Sequence, residues 1–532
     1  MMRKKVITTT AALAAVAILL AACGGNSGGT SPSGSATNAA GSSLSSPAGG
    51  QTLTIARPAG MLTFDPTKAN ENMSIQTFSL IYDTLYQTSP DGKSLEPSLA
   101  TGYTLSSDDL TWTFTLRSGV KFSDGSPLTS KDVKFSYERN AGDQSNSFAF
   151  MDADISSIDT PNPTTVVFHL KQPSAAFLAQ SALYAHSVLP DNLESKSSAE
   201  FFANPVGSGP FKLEKWTKGQ EVDLVKNDNY WQSPQPKLAA VKFTVVPDAN
   251  TRTLQLKTGQ IDVYPIPTFY QFTQFGKTDG VSTTLFPNTW TEYVLFNQKV
   301  KPFQDVNVRR AISYAVNRKA MIDAVLEGHG TVANSYLNHN IWGYDKNTPG
   351  ADYDLAKAKA ALAASSAPSG FDATLLIASG DSKEAQMAQI IKSELAAVNI
   401  SVTISPADST TEQTQLANGQ YQMALAHSGT DIADPSELTT VEVVGGPNNP
   451  ATRAFYTNYY NPEVEKLANQ ALVTSDETAR LKIYAQLQKQ VAEDAPMAFL
   501  FYQPTPIAFR SNVKNLVYTA GGTYRLNQTT IG

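Results

Sequence analysis

The fold is decided by residues 371–426, which read FDATLLIASGDSKEAQMAQIIKSELAAVNISVTISPADSTTEQTQLANGQYQMALA. Short apolar runs alternate here with stretches of helical periodicity. The pattern predicts strand, helix, strand, helix and strand over 371–377, 382–398, 400–404, 408–418 and 421–426. Strands that alternate with helices over this length indicate a parallel sheet with right-handed crossovers.

The last predicted strand runs directly into residues 427–435, HSGTDIADP. Ligands of open α/β sheets bind beyond the carboxyl ends of the strands. This position makes the loop a candidate ligand contact, and it carries His427 and two carboxylates, Asp431 and Asp434. The alternative is an ordinary connection in which Asp434, before Pro435, begins the next element, and the residues alone leave both interpretations open.

Helical spacing also marks other parts of the second half. Apolar residues recur every three or four positions from Val308, which predicts one helix that runs to Glu327 and ends at Gly328. Two further helices are predicted over 462–472 and 476–493.

The first half is richer in strands. Apolar and polar residues alternate over 110–117, which predicts a half-buried strand. Thr129, followed three residues later by Asp132, predicts a capped helix start. A βαβ unit is predicted from a strand, a helix and a strand over 241–246, 250–258 and 261–263.

The amino terminus has the pattern of an export signal. Arg3, Lys4 and Lys5 precede an apolar run over 11–22, which is 12 residues long and too short for a membrane span of about 20. The run ends in LAACGG (20–25), which resembles the lipobox of bacterial lipoproteins and contains the only cysteine, Cys23. We expect a signal peptide over 1–22, lipidation of Cys23, and a flexible Gly/Ser linker over 23–50.

Length and composition restrict the function. Single cores stop growing at about 250–300 residues, so a chain of 532 residues predicts two lobes or more. A net charge of −6 argues against a nucleic-acid partner. The five histidines have no zinc-like spacing, and no folded-body cysteine is available as a nucleophile, so we expect no metal, no cofactor and no enzyme.

Four blocks of sequence carry a resemblance to a known family. They are WTFTLRSGVKFSDGSPLTSKDVKFSYER (112–139), PVGSGPFKLEKW with NDNYW (205–231), PFQDVNVRRAISYAVNR (302–318) and YYNPEVEKL (459–467). In this order they resemble the family 5 extracellular solute-binding proteins, the dipeptide-, oligopeptide- and nickel-type receptors of ABC importers. Asn317 departs from the aspartate usual in the family, and we expect it to cap a helix locally.

The resemblance implies an α/β, two-lobed periplasmic-binding-protein-like fold. Lobe I would be discontinuous, with a mixed β-rich part, and would combine residues 51–293 and 502–532. Lobe II would be a parallel α/β unit over 294–501. The lobes would close on a ligand and dock as a monomer on an ABC permease with its ATPase. The lipid anchor would hold the receptor at the outer face of the cell membrane.

In peptide-binding members of the family, an aspartate in this loop pairs with the α-ammonium of the peptide. Asp431 stands at the matching place, three residues before Asp434. The resemblance therefore implies a peptide ligand held at Asp431. Peptide relatives usually have tryptophan three residues earlier, where this chain has Ser428, so another organic solute such as an oligosaccharide, or a metal chelate, stays open.

Apolar and aromatic side chains are further candidates for the wall of the cleft. Trp290 and Tyr293 lie near the predicted lobe boundary, and Trp342, Met61 and Phe64 lie elsewhere in the sequence. Two other classes of function compete with an import receptor. A surface-anchored hydrolase would use Asp431, Asp434 and a serine, and a sensing receptor would bind the ligand without transport.

Overall fold

The computed structural model describes residues 51–146, 148–444 and 453–532. The predicted signal peptide (1–22), Cys23 and the whole predicted linker (23–50) lie outside the described residues. The described chain forms two lobes, each built on its own large sheet. Within these ranges no helix combines the length and the apolar character that crossing a membrane requires.

The first lobe contains the elements before the first crossing. Its strands are β1 (Thr52–Arg57), β2 (Tyr86–Thr88), β3 (Leu95–Pro97), β4 (Ala100–Leu105), β5 (Thr111–Leu116), β6 (Ile155–Asn162), β7 (Thr165–Leu170), β8 (Phe211–Thr217), β9 (Glu221–Lys226), β10 (Ala240–Val245), β11 (Val263–Pro265) and β12 (Val281–Phe286). Its helices are α1 (Asn72–Phe78), α2 (Ser130–Ala141), α3 (Phe177–Gln180), α4 (Ser198–Ala203), α5 (Ala249–Thr258) and α6 (Phe269–Phe275).

The second lobe follows, and the chain then returns to the first. The second-lobe strands are β13 (Thr291–Phe296), β14 (Thr331–Val332), β15 (Phe371–Ala378), β16 (Ile400–Ala407), β17 (Met423–Ser428) and β18 (Met497–Tyr502). Its helices are α7 (Val306–Ala315), α8 (Arg318–Val325), α9 (Leu355–Ala363), α10 (Ser382–Ala396), α11 (Ser409–Ala417), α12 (Ser436–Leu438), α13 (Arg453–Thr457), α14 (Pro462–Leu472) and α15 (Glu477–Asp494). The returning strands are β19 (Thr505–Arg510), β20 (Val513–Lys514) and β21 (Thr530–Ile531).

Local sequence signals explain several of these boundaries. The Thr129 backbone N–H donates to the Asp132 carboxylate at 2.6 Å, which completes the predicted capping box at the start of α2. Gly259 ends α5 with φ of 76°, a left-handed conformation that glycine adopts without steric cost. Strand β5 buries alternate residues, as its period-two pattern predicts.

The prediction of one helix from Val308 to Glu327 is wrong. The helix breaks into α7 and α8 at Val316, which has extended backbone angles. The Asn317 side chain then accepts a hydrogen bond from the Ala320 N–H at 3.0 Å and caps the second helix. The expected local cap at Asn317 is confirmed, and it is also the reason that the helix is interrupted.

The second-lobe sheet has the strand order β14-β18-β13-β17-β15-β16. Strands β15, β16 and β17 are parallel, as the alternating pattern predicts. Strand β13 runs antiparallel to both β17 and β18, and β14 runs antiparallel to β18, so the sheet as a whole is mixed. Both faces of β13 are buried, with Val294 and Phe296 in one hydrophobic cluster and Tyr293 and Leu295 in another.

The first-lobe sheet has the order β12-β19-β11-β1-β10-β9-β8, and a second sheet, β4-β5-β7-β6, belongs to the same lobe. Two short segments connect the large sheets of the two lobes. Residues 287–290 join β12 to β13, and residues 503–504 join β18 to β19. The boundary expected at 293/294 falls inside β13, because sheet membership already changes before Thr291.

Candidate functional site

At least three cavities lie where the lobes meet. One, of about 160 Å³, lies between Phe177 of the first lobe and Glu437 and Leu472 of the second, and no predicted site residue lines it. The other two are lined by predicted site residues. The first, which we call the polar cavity, has a volume of about 140 Å³ and is lined by Asp431 of the second lobe and by Asp83, Tyr184 and Arg525 of the first. The second, which we call the aromatic cavity, has about 730 Å³ and is lined by residues that include Trp290, His427, Tyr270 and Tyr518.

Two chain segments, 288–290 and 518–523, separate the cavities. Neighbouring residues in these segments face opposite sides, as successive side chains do in extended chain. The residues of these segments that line the aromatic cavity are Asn288, Trp290, Tyr518, Ala520 and Gly522. Those that line the polar cavity are Thr289, Thr519, Gly521 and Thr523. The predicted site residues are therefore divided, with Asp431 at one cavity and both Trp290 and His427 at the other.

The loop after β17 is fixed at its backbone. The Thr430 N–H donates to the Thr289 hydroxyl at 3.2 Å, and the Asp431 N–H donates to the Glu437 carboxylate at 2.9 Å. The Thr430 hydroxyl donates to the same Glu437 oxygen at 2.8 Å. These bonds hold the backbone of Asp431 in place and leave its side chain directed at the polar cavity.

The Asp431 carboxylate accepts no hydrogen bond and forms no ion pair within the described residues. Burial raises its pKa to about 6. Burial and the charge of Asp431 raise the pKa of Glu437 as well. The phenol of Tyr184 also has a raised pKa, because it is buried and lies near the charge of Asp431. An unpaired carboxylate in such surroundings is stabilised by a cationic group.

Asp434, in the same loop, has a different environment. Its two carboxylate oxygens accept hydrogen bonds from the Arg480 guanidinium at 2.5 and 2.8 Å, and it is 4% exposed. It also accepts from the Ser436 N–H at 2.9 Å, as expected of a residue that begins the next element. Asp434 therefore stabilises the loop and lines neither cavity.

Trp290 and His427 form one wall of the aromatic cavity. Their rings stack with centroids 4.7 Å apart and an angle of 26° between the planes. Lys383, which lines the same cavity, is already paired with the buried carboxylate of Glu292. The cavity therefore offers flat aromatic surface on this wall, beside polar side chains such as Gln386 and Gln503.

Three of the other predicted contact residues lie in hydrophobic cores. Met61 is 2% exposed, and Phe64 is fully buried with its ring edge-to-face against Trp216. Tyr293 is fully buried in the second lobe, where its hydroxyl donates to Glu442 at 2.8 Å. The structure brings none of these three to either cavity.

Trp342 is half-buried beside the Arg480 pair. Its indole N–H donates to Glu477 at 3.0 Å, and the Arg480 guanidinium lies 5.2 Å from the centre of the ring. It contributes to the packing around α15 and lines neither cavity.

The polar cavity also contains residues that no sequence pattern indicated. Asp83 accepts hydrogen bonds from the Trp231 indole at 3.0 Å and the Ser208 hydroxyl at 2.9 Å, and burial raises its pKa. Arg525 donates to Glu96 at 2.7 Å. Asp83 lies near the start of the first-lobe sequence and Arg525 near its end, and no sequence motif links the two residues. In the described ranges no cluster of His, Cys, Asp or Glu has the arrangement of a metal site.

The model of the bacterial extracellular solute-binding proteins, family 5 Middle, matches residues 94–449. The probable D,D-dipeptide-binding periplasmic protein DdpA of Escherichia coli K12 is 30% identical over 477 residues, which cover 88% of this chain and 91% of the relative. The glutathione-binding protein GsiB of the same organism is 28% identical over 468 residues, which cover 87% and 91%.

A solved structure agrees with these relatives. The ABC transporter-associated periplasmic binding protein DppA from Helicobacter pylori, in complex with peptide STSA, has a TM-score of 0.79 and 28% identity. The match covers 91% of this chain and 98% of the neighbour.

The chain belongs to the family 5 extracellular solute-binding proteins, as the four sequence blocks predicted. The two-lobed periplasmic-binding-protein fold is confirmed by the structural neighbours. Members of this family are extracytoplasmic binding receptors of ABC transporters and not enzymes, so the hydrolase alternative is excluded. The expected ABC transporter partner follows from the same membership.

Proposed function

We propose that this receptor binds a short peptide, or a peptide-like solute with a free α-ammonium group, in the polar cavity. The observation that carries the proposal is the unpaired, partly buried carboxylate of Asp431 on a loop whose backbone is fixed. An ammonium group would donate a charge-assisted hydrogen bond to this oxygen, and such bonds are about twice as strong as neutral ones.

The named ligands of the relatives support this choice. D,D-dipeptides, glutathione and the peptide STSA differ in length and stereochemistry. They share a free α-ammonium group and at least one amide bond. A clamp for that group would accept all three chemical classes, whereas the remaining lining residues would select among them.

An organic solute with a flat or apolar face, such as an oligosaccharide, is the second candidate. The stacked rings of Trp290 and His427 favour it, because they present aromatic surface in the larger cavity. Such a ligand would not depend on Asp431.

Calorimetry with D-alanyl-D-alanine, glutathione and Ser-Thr-Ser-Ala tests the proposal, each in free and N-acetylated form. We expect at least one free form to bind and its acetylated form to bind at least tenfold more weakly. Equal binding of both forms, or binding of an oligosaccharide alone, would contradict it. Mass spectrometry of small molecules that co-purify with the protein would extend the panel.

We also propose that Cys23 is lipidated after removal of residues 1–22, that the receptor is a monomer, and that it delivers its ligand for import. The lipobox-like sequence and the charge-free linker support the anchor. Cys23→Ala should remain unprocessed and unlipidated in cells, and a mutant that is processed normally and stays in the membrane fraction would contradict the anchor. Uptake of the bound ligand that is lost with the receptor gene would distinguish import from sensing.

Closure of the two lobes on the ligand is part of the same proposal. The only covalent connections between the large sheets, within the described ranges, are the segments 287–290 and 503–504. Motion about two such short segments would change the volume between the lobes. Small-angle scattering should show a smaller radius of gyration at ligand saturation, and an unchanged profile would count against closure.

A further inference from the structure

The side chain of Ile432, the residue after Asp431, reaches from the second lobe into the first. Ile432 belongs to the second lobe, yet its side chain lies in a hydrophobic cluster with Ala179, Leu183 and Ala185 of the first lobe. It is 1% exposed. Its apolar surface is therefore removed from water only when the lobes are together.

The same loop geometry couples Ile432 to Asp431. The Ile432 N–H donates to the Thr430 hydroxyl at 3.2 Å, and the Thr430 hydroxyl lies 2.8 Å from the Ile432 carbonyl oxygen. Glu437 fixes Asp431 from the other side. With the backbone held at each residue, the Asp431 carboxylate and the Ile432 side chain must move as one unit.

Other contacts between the lobes lie farther out. The Ala175 N–H donates to the Leu472 carbonyl oxygen at 2.7 Å, and the exposed Ser475 hydroxyl donates to Asp109. Polar contacts of this kind contribute little net stability, whereas burial of an apolar side chain contributes substantially. Phe269 of the first lobe is another buried apolar contact, because it lies in a second-lobe cluster and its ring stacks on His329 with centroids 5.8 Å apart. Ile432 is the buried apolar contact that lies next to Asp431.

We propose that Ile432 is a positioning residue that couples the ligand contact at Asp431 to lobe closure. Its side chain enters the first-lobe cluster as the lobes close, and this brings the Asp431 carboxylate against the ligand. The ligand part of the proposal rests on the proposed function. The closure part does not depend on which ligand is bound.

Two substitutions remove the contact from opposite sides. Ile432→Ala deletes the side chain that enters, and Ala179→Met fills the space that receives it. Ile391→Ala is the matched control, because Ile391 is a fully buried isoleucine on α10 of the second lobe. The control should lower the melting temperature, whereas the two test variants should leave it nearly unchanged, since their contact is lost whenever the lobes open.

The closed fraction is measured by fluorescence energy transfer between dyes on Lys171→Cys and Lys466→Cys, in full-length protein with Cys23→Ser. Both lysines are exposed, one in each lobe near the Ala175–Leu472 contact. Measurements are made without ligand and with Ser-Thr-Ser-Ala at a fixed concentration.

We expect Ile432→Ala and Ala179→Met each to lower the ratio of closed to open protein at least tenfold, consistent with loss of a buried isoleucine, while Ile391→Ala leaves the ratio unchanged. Unchanged ratios for both test variants would overturn the coupling, and so would an equal shift in the control. A lowered ratio together with unimpaired binding of N-acetylated peptide would contradict only the ammonium clamp. The two proposals can therefore fail separately.

Discussion

Asp431 and Asp434 lie three residues apart in one loop and have opposite surroundings. Asp434 is enclosed by the Arg480 guanidinium with two hydrogen bonds, whereas Asp431 has no cationic partner in the described part of the chain. Both are aspartates after the same strand, and the sequence alone does not distinguish them. The difference indicates that one carboxylate stabilises the loop and the other is kept for a ligand.

The electrostatics agree with this division. A buried carboxylate with a bidentate arginine is satisfied, and the loss of either partner leaves a buried charge. A buried carboxylate without a partner destabilises the folded protein until a cation arrives. The two carboxylates should therefore respond oppositely to neutralisation, with loss of stability at Asp434 and gain of stability at Asp431.

The largest expected effect comes from Arg480→Met. The substitution keeps an apolar stem in place but leaves Asp434 buried without its partner, so the free energy of unfolding should fall by about 3–5 kcal/mol. Urea denaturation measures it. The double variant Arg480→Met/Asp434→Leu should recover much of this loss, and a single variant as stable as wild type would mean that the pair is not structural.

A smaller effect of opposite sign is expected for Asp431→Asn. Because burial raises the pKa of Asp431 in the folded state, the folded protein holds more protons than the unfolded chain between pH about 4 and the raised values. Wild-type stability should therefore decrease as pH rises through this window, with Glu437 contributing in the same direction.

The Asp431→Asn protein should show a flatter stability profile and should be more stable than wild type at pH 7 by roughly 1–2 kcal/mol. Thermal denaturation from pH 4 to pH 8 without added ligand checks both points. A variant that is less stable at pH 7 would show that Asp431 has a structural partner, as Asp434 does.

The comparison of Asp431 with Asp434 also shows how much of the fold and of the site the sequence predicts. The β/α alternation over 371–426 predicted the parallel strands and placed the loop at their carboxyl ends, because the periodicity of each strand and helix depends only on neighbouring residues. The pairing of Asp434 with Arg480 was not predictable, since 46 residues separate them and no motif links them. The same holds for Arg525 and Asp83, which reach the polar cavity through tertiary packing alone.

Aromatic residues were the least reliable candidates for the same reason. Trp290 lines a cavity, whereas Phe64 and Tyr293 are in cores, and nothing in their local sequence separates these outcomes. An apolar side chain in a strand region fits a core and a cleft wall equally well, and only the facing element decides which it becomes.

The smallest expected effect is that of Trp342→Phe. The substitution removes the indole hydrogen bond to Glu477 and weakens the contact with Arg480, so stability should fall by about 1 kcal/mol or less. Ligand affinity should not change, because Trp342 lines neither cavity. A tenfold loss of affinity at unchanged stability would show that Trp342 contacts the ligand.

A double-mutant cycle tests whether Asp431 receives the ligand's ammonium group. Wild type and Asp431→Asn are titrated by calorimetry with the free and N-acetylated forms of whichever panel peptide binds. Each single change should weaken binding by about 2–5 kcal/mol, and the second change should add little to the first, because both remove the same contact. Additive losses, or an Asp431→Asn protein that binds the free peptide as wild type does, would show that Asp431 does not contact the ammonium group.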